Sequence, residues 1–183
     1  MTSRSIVLLA VVLAALAGGS QGWAQEPWRS ASVLSIGDGD TIKVVQTGQR
    51  LTVRLACIDA PEMAQSPDGF KARQQLQRLL SPGQRVQIGI KTMDRYGRSV
   101  AEVVTTPAAA AGPEGRRRVG EINVGLAMVA AGQAFVYERY LSACDQWAYR
   151  QAEDRARNRH LGIWQVPGGI TPPWEFRHHR PQS

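Results

Sequence analysis

The sequence predicts an α+β protein: a five-stranded β-barrel of the OB type carrying about three helices. Three observations lead there. Residues 31–58 run apolar or alternating in three pieces, "ASVLSIG", "TIKVVQ" and "RLTVRLACI", parted by the turn signals "DGD" and "TGQ". A helical stretch and two further strand-like pieces, "QRVQIGIK" and "RSVAEVVTT", follow. Helical patterns then dominate to the C-terminal region, so strands, helix, strands, helices is the order. On pattern alone a compact α+β sandwich is the alternative.

Ahead of the first strand, Arg4 precedes an apolar run, Ile6–Ala17, and then small residues ending in "GWAQ". That is the charged start, apolar middle and small-residue end of a secretory leader, with cleavage expected after Ala24. The run is too short for an ordinary membrane span. Residues 1–24 are therefore expected to be a signal peptide, 25–177 one domain, and 178–183 a basic tail. The product is expected to be exported, periplasmic or secreted, monomeric, and without stable membrane insertion once the leader is cut.

The three-piece meander is followed by a helix expected over residues 69–80, where Phe70, Ala72, Leu76, Leu79 and Leu80 share a face and "SPG" stops it. "TMDRYG" is the turn between the next two strands. Pro107–Arg118 is low in complexity and then basic, and reads as a surface loop. A short helix fits Glu121–Ala131, and a longer one fits residues 142–159 with Ser142 as its N-cap. The proline- and glycine-broken end should wrap over the domain, with Trp164 and Trp174 packing there. His178 and His179 belong to the solvated tail, and Glu153 and Asp154 to surface ion pairs.

Twenty-two Lys and Arg face 15 Asp and Glu, a formal net charge of +7. In an exported domain this excess suits a polyanion such as nucleic acid. Only two cysteines are present, Cys57 and Cys144. Each sits on an apolar face, Cys57 in phase with Leu51, Val53 and Leu55, and Cys144 with Ala148, Ala152 and Ala156. Two readings stay open, a long-range disulfide, which an oxidising compartment favours, and two buried thiols. With so few soft ligands, zinc is not expected.

Within the strands, "DGDT" places Asp38 and Asp40 where aspartate is a poor strand former. Alone it reads as a hairpin turn. A second acidic strand end follows 19 residues later, "IDAPE", with Asp59, Ala60 and Glu62. If the meander pairs as drawn, Asp40 and Asp59 share one pocket, where they repel unless a proton or cation joins them. A hard divalent cation such as Ca2+ takes carboxylate and carbonyl oxygens, the carbonyl of Ala60 among them. Arg54, on the strand leading to Asp59, and Arg98, after "MDRYG", have the planar forks that suit phosphate.

Through "DGDT", "RLACIDAPE", "DRYGR" and, more loosely, "GIWQVPGGITPPWEFR", the chain resembles the staphylococcal nuclease family over roughly residues 30–177. The resemblance implies an OB-type barrel and Ca2+-dependent hydrolysis of DNA and RNA, single strands preferred. By motif it implies Asp40, Asp59 and the carbonyl of Ala60 as calcium ligands. It also implies catalytic roles for Arg54, Glu62 and Arg98, with Glu62 positioning or deprotonating the attacking water. Tyr96, Arg95, Phe135 and Tyr137 would contact the nucleotide. Two departures stand out: "MAQSPDGF" after Glu62 lacks the lysines of the type enzyme's mobile loop, and Phe135 falls where that enzyme has a tyrosine. The segment 107–118 matches no family motif. The competing readings are a non-catalytic nucleic-acid-binding OB module, which would not need the full set of acids and arginines, and a calcium-stabilised envelope protein, which would leave Arg54 and Arg98 unexplained.

Overall fold

The structure, a computed structural model, describes residues 28–106 and 120–179. The expected leader, the 107–118 segment and residues 180–183 of the expected tail lie outside the described residues. Strands β1 (Arg29–Ile36), β2 (Thr41–Gln46) and β3 (Gln49–Leu55) form the antiparallel meander. Two dihedral-demanding positions make the β2–β3 hairpin tight: Thr47 and Gly48 both have positive φ.

After the short β4 (Ile58–Asp59) and helix α1 (Asp68–Leu79), β5 (Arg85–Met93) and β6 (Ser99–Thr105) form a second hairpin. β5 pairs with β1, and β6 lies parallel to β3 with Val53 opposite Ser99 and Leu55 opposite Ala101. That last pairing closes β1, β2, β3, β6 and β5 into a five-stranded barrel, the OB-type α+β fold.

Alternation along the strands turns Val33, Ile42, Val44, Val53, Leu55, Val86, Ile88, Ala101 and Val103 inward, all buried. Leu76 of α1, together with Met128 of α2 (Val124–Ala130) and Tyr149 of α3 (Gln146–Asn158), closes the same core. Full burial of an aliphatic side chain is worth roughly 1.5–3 kcal/mol. A surface ion pair rarely exceeds about 1 kcal/mol, so the barrel is held by its interior. Tyr149 keeps its hydroxyl satisfied on Asn123 Oδ1 at 3.2 Å, and Asn123 caps α2 by accepting from Leu126 N at 3.1 Å.

Several boundaries differ from expectation for local reasons. The third strand stops at Leu55 because Cys57 takes a left-handed φ of 66°, which breaks the extended run before β4 while the chain stays buried. β4 then pairs with β8 (Phe135–Val136) instead of extending the meander. The expected 121–131 helix begins as β7 (Ile122–Asn123), whose pairing with β6 takes the first residues. Ser142 lies in a 3-10 segment, Glu138–Ala143, and the long helix starts after Asp145, whose carboxylate accepts from Ala148 N at 3.0 Å. Glu153 is more than a surface partner: it accepts from Val136 N at 2.9 Å and so ties α3 to β8.

The C-terminal wrap contains a fourth helix, α4 (Pro173–His179), which takes in the His178 and His179 expected in the tail. Its Trp174 joins a second apolar cluster with Phe135, Ala156, Ile163 and Trp164. Among the described residues no helix is long and apolar enough to cross a membrane.

Cys57 and Cys144 are joined in a disulfide across 87 residues. It staples the turn before β4 to the segment entering α3. A closed loop of that order removes roughly 4–5 kcal/mol of unfolded-state entropy in the chain-entropy account, and native bridges typically deliver 2–5. The double variant Cys57→Ser, Cys144→Ser should therefore unfold about 2–5 kcal/mol more easily in urea. An unchanged unfolding midpoint would contradict that role.

Candidate active site

The loop between β1 and β2 is shaped by its own side chains. Asp38 Oδ1 accepts from Asp40 N at 3.1 Å, and Gly37 N reaches Thr41 O at 2.8 Å. Gly39 has no substitute here, because an added Cβ would lie 2.7 Å from Cβ of both Ala60 and Ala72. The missing side chain lets the loop seat Asp40 against the β4 end and α1.

Asp40 is then 3% exposed and fully engaged. Its Oδ1 accepts from Arg54 Nη1 at 2.6 Å and Thr41 Oγ1 at 3.1 Å, and its Oδ2 from Ala60 N at 2.9 Å. The β2–β3 ladder explains the first contact, since Thr41 lies opposite Arg54. The other Arg54 nitrogen, Nη2, reaches Asp59 Oδ1 at 2.5 Å. One guanidinium thus joins the two aspartates that the sequence placed 19 residues apart.

Asp59 is fully buried in β4, opposite Phe135 of β8. A second guanidinium covers it: Arg177 donates from Nη2 to Asp59 Oδ2 at 2.7 Å and from Nη1 to Asp59 Oδ1 at 3.2 Å. Arg177 Nη1 also donates to Glu62 Oε1 at 2.6 Å. The Glu62 backbone is fixed by its N–H on Gln65 Oε1 at 2.9 Å, and Gln65 Nε2 donates to Thr171 O at 2.8 Å, just before α4. A Cβ on Gly69 would collide with the Glu62 carbonyl, so this glycine too lets the Glu62 loop lie close to α1.

Asp38, Asp40, Ala60 and Glu62, with the basic Arg54, Arg98 and Arg177, line a cleft of about 1210 Å³, and Asp59 lies behind that wall. Arg98 faces this cleft from the β5–β6 turn, but its hydrogen bonds go to Asp94, at 2.7 Å from Nε and 2.9 Å from the backbone N–H. Arg95 and Arg98 both lie over the ring of Tyr96, at 4.8 and 5.5 Å, and Tyr96 is 68% exposed. Tyr137 is on the cleft wall, stacked on Trp174 with centroids 5.4 Å apart. Phe135 is not on that wall: it is buried edge-on between Trp164 and Trp174, at 5.0 and 5.6 Å, because its β8 position points it into the second apolar cluster. At 4% exposure it offers little surface to a nucleotide base.

The electrostatics follow from burial and pairing. Burial pushes the Asp40 carboxyl up to about 6, against the pull of Arg54 and with the help of Asp38 and Asp59. Burial works against the charge on Arg54, yet Asp40 and Asp59 outweigh it and hold the guanidinium above the ordinary arginine value. Arg177 is likewise raised: burial opposes its charge, and the bonds to Asp59 and Glu62 overcome that. Among the described residues no group of three or more His, Cys, Asp or Glu forms a metal cage, so the acidic core of the site is a pair of aspartates bridged by arginine.

Sequence reasoning missed Arg177 and Gln65. The arginine had one trace, its i+3 spacing from Trp174 after a double proline, which places both on one side of a short helix. Nothing local names a partner 118 residues away.

Comparison with known proteins followed the same direction. Residues 52–166 match the protein family described as Staphylococcal nuclease homologue. A relative named micrococcal nuclease from Shigella flexneri is 41% identical over 145 residues, 79% of this chain and 78% of the relative. Protein ParB from Escherichia coli is 36% identical over 97% of this chain and 94% of its own length. An endonuclease from Escherichia coli O157:H7, named as uncharacterized, is 32% identical over 81% of this chain and 84% of its own.

The raised Asp40 carboxyl fixes the sign of a stability change with pH. The folded protein binds this proton more tightly than the unfolded chain does. Asp40's contribution is therefore full below about pH 4 and is lost as the pH rises through about 6. The shift is equivalent to about 3 kcal/mol at neutral pH. In urea with chelator present, the stability difference between Asp40→Asn and the parent should shift in the variant's favour between pH 4 and pH 7, because only the parent loses this proton over that range. Equal pH slopes for the two proteins would show that Asp40 does not titrate in this way.

Proposed function

Because the chain belongs to the staphylococcal nuclease homologue family, we propose that it is an exported, calcium-dependent nuclease that hydrolyses the phosphodiester bonds of DNA and RNA. The observation that carries this reading is the convergence of Asp40, Arg54 and Glu62 on the wall of one basic, aromatic-walled cleft, with Asp59 buried under the same guanidiniums.

The donor chemistry suits a hard divalent cation. Asp40, Asp59 and Glu62 offer hard carboxylate oxygens beside the carbonyl of Ala60, the donor type such a cation takes. Neither thiol nor imidazole takes part in these contacts. Asp40, Asp59 and the carbonyl of Ala60 would hold Ca2+. When bound, the ion supplies positive charge that draws off the charge of the phosphate.

The chain's own residues do the rest. A phosphodiester resists water because its anion repels nucleophiles. Arg98 meets that with a fork that donates to two phosphate oxygens, Arg54 adds the N–H groups its aspartates leave, and together they stabilise the charge that builds as the phosphorus gains a fifth oxygen. Arg98 leaves Asp94 to do so, and the surrounding turn holds Arg95 and Tyr96 ready beside the nucleotide. Glu62, half-exposed at the cleft edge and held by its backbone on Gln65, takes the proton from the attacking water. The new P–O bond forms as the bond to the leaving oxygen breaks. Tyr137 contributes aromatic surface on the cleft wall, and Phe135 serves by packing against Trp174, on which Tyr137 is stacked.

Glu62→Gln should lower kcat by about 100-fold or more, the range of general-base catalysis, with Ca2+ binding kept. The measurement is cleavage of single-stranded DNA and of RNA in Ca2+ and in chelator, beside the inactive control Asp40→Ala. Parent-like cutting by Glu62→Gln would remove the base assignment. Tight binding without cutting by the parent would favour the non-catalytic module. For export, the mass of protein recovered from the periplasm or medium should correspond to a chain beginning at Gln25. A mass that retains residues 1–24 would contradict cleavage.

A further inference from the structure

We propose that Arg177 sets the cation affinity of the acidic pair by holding the cation's place on Asp59, with Glu62 as its second anchor. This inference rests on the calcium reading above.

Asp59 has no exposed surface, and both of its oxygens already accept from guanidinium nitrogens. Oδ1 takes a bond from each guanidinium and Oδ2 takes one from Arg177, so a dication that comes to Asp59 meets a like charge on the same oxygens and competes with it. The two guanidiniums are unequal. Arg54 has a side chain 16% exposed, lies inside the barrel ladder, and bonds both aspartates at 2.6 and 2.5 Å. Arg177 is 42% exposed and reaches in from the end of a seven-residue helix. It is the group that can turn out into the cleft without opening the barrel.

The rest of α4 is arranged to keep that arginine at hand. Trp174, three residues earlier, is stacked on Tyr137 and set edge-on to Phe135. The segment before the helix is pinned by Gln65 on Thr171 O, and the same Gln65 holds the Glu62 backbone. The helix therefore stays seated when the side chain swings. Its fork neutralises Asp59 and Glu62 while no dication is present, and it is a like charge against the dication when one arrives. Occupancy at a given Ca2+ concentration is then decided by the difference between the two, with Arg177 as the internal competitor.

The test is calorimetric titration of the purified full chain with CaCl2 alone, in the parent, Arg177→Ala and Arg177→Lys. Arg177→Ala should bind roughly tenfold more tightly, because a like charge in contact with the ligand set has gone. Arg177→Lys should fall between, since lysine keeps the charge but lacks the fork that spans Asp59 and Glu62. The rise in melting temperature on adding Ca2+ should be larger in Arg177→Ala, an independent reading of the same affinity. Melting without Ca2+ reports whether the variants fold, and the lysine variant serves if the alanine variant does not. Affinity in Arg177→Ala equal to or weaker than the parent's overturns this inference and leaves the calcium reading standing. No heat and no melting shift in any of the three overturns both.

Discussion

The bridge from Asp40 through Arg54 to Asp59 is the contact around which this molecule is arranged. Three charged groups with little or no exposure to water have lost most of their hydration, a loss of several kcal/mol each, and only close opposite charge and complete hydrogen bonding make that tolerable. Every neighbouring feature serves that requirement. Gly39 clears space for the loop that carries Asp40, the β2–β3 ladder sets Arg54 beside it, and the left-handed turn at Cys57 redirects the chain so that Asp59 arrives at the second nitrogen of the same fork. The cost is visible in Asp40, whose carboxyl is pushed up to about 6 in spite of its arginine.

A site held this way is stiff in its interior and adjustable at its mouth. Arg54 is locked by the barrel. Arg177, Glu62 and Arg98 stand nearer to solvent, each fixed by a partner that a ligand can replace. Preorganised charge around a replaceable shell suits binding of an anion that brings its own charge and must be released after reaction. The aromatic groups divide in the same manner, with Tyr96 exposed on its turn and Phe135 sealed into the second cluster.

That second cluster explains why a protein of this size carries a C-terminal wrap at all. Ile163, Trp164 and Trp174 pack around Phe135 on the outside of β8, and β8 is the partner of β4. The wrap therefore braces the strand that presents Asp59, and its last helix returns to the cleft. The disulfide braces the same strand from the other side, at Cys57. Two independent supports converge on one buried aspartate.

The sequence by itself determined the barrel and most of the acidic site. Strand alternation is a local property, so Val53 and Leu55 declared their inward face, and Asp40 and Arg54 lay beside each other in a three-strand meander, whereas Asp59 reached them from β4, outside that meander. Glycine in "DGDT" and proline in "IDAPE" marked where those elements end. Tertiary structure alone decided which of several charges meet. Arg98 keeps to Asp94, four residues away in its own turn, whereas Arg177 reaches Asp59 across 118 residues, and such long-range pairing depends on where distant segments pack and leaves no periodic trace in the chain. The same reason hid the burial of Phe135: its neighbours Trp164 and Trp174 are 29 and 39 residues downstream, and only their packing gives that ring its place.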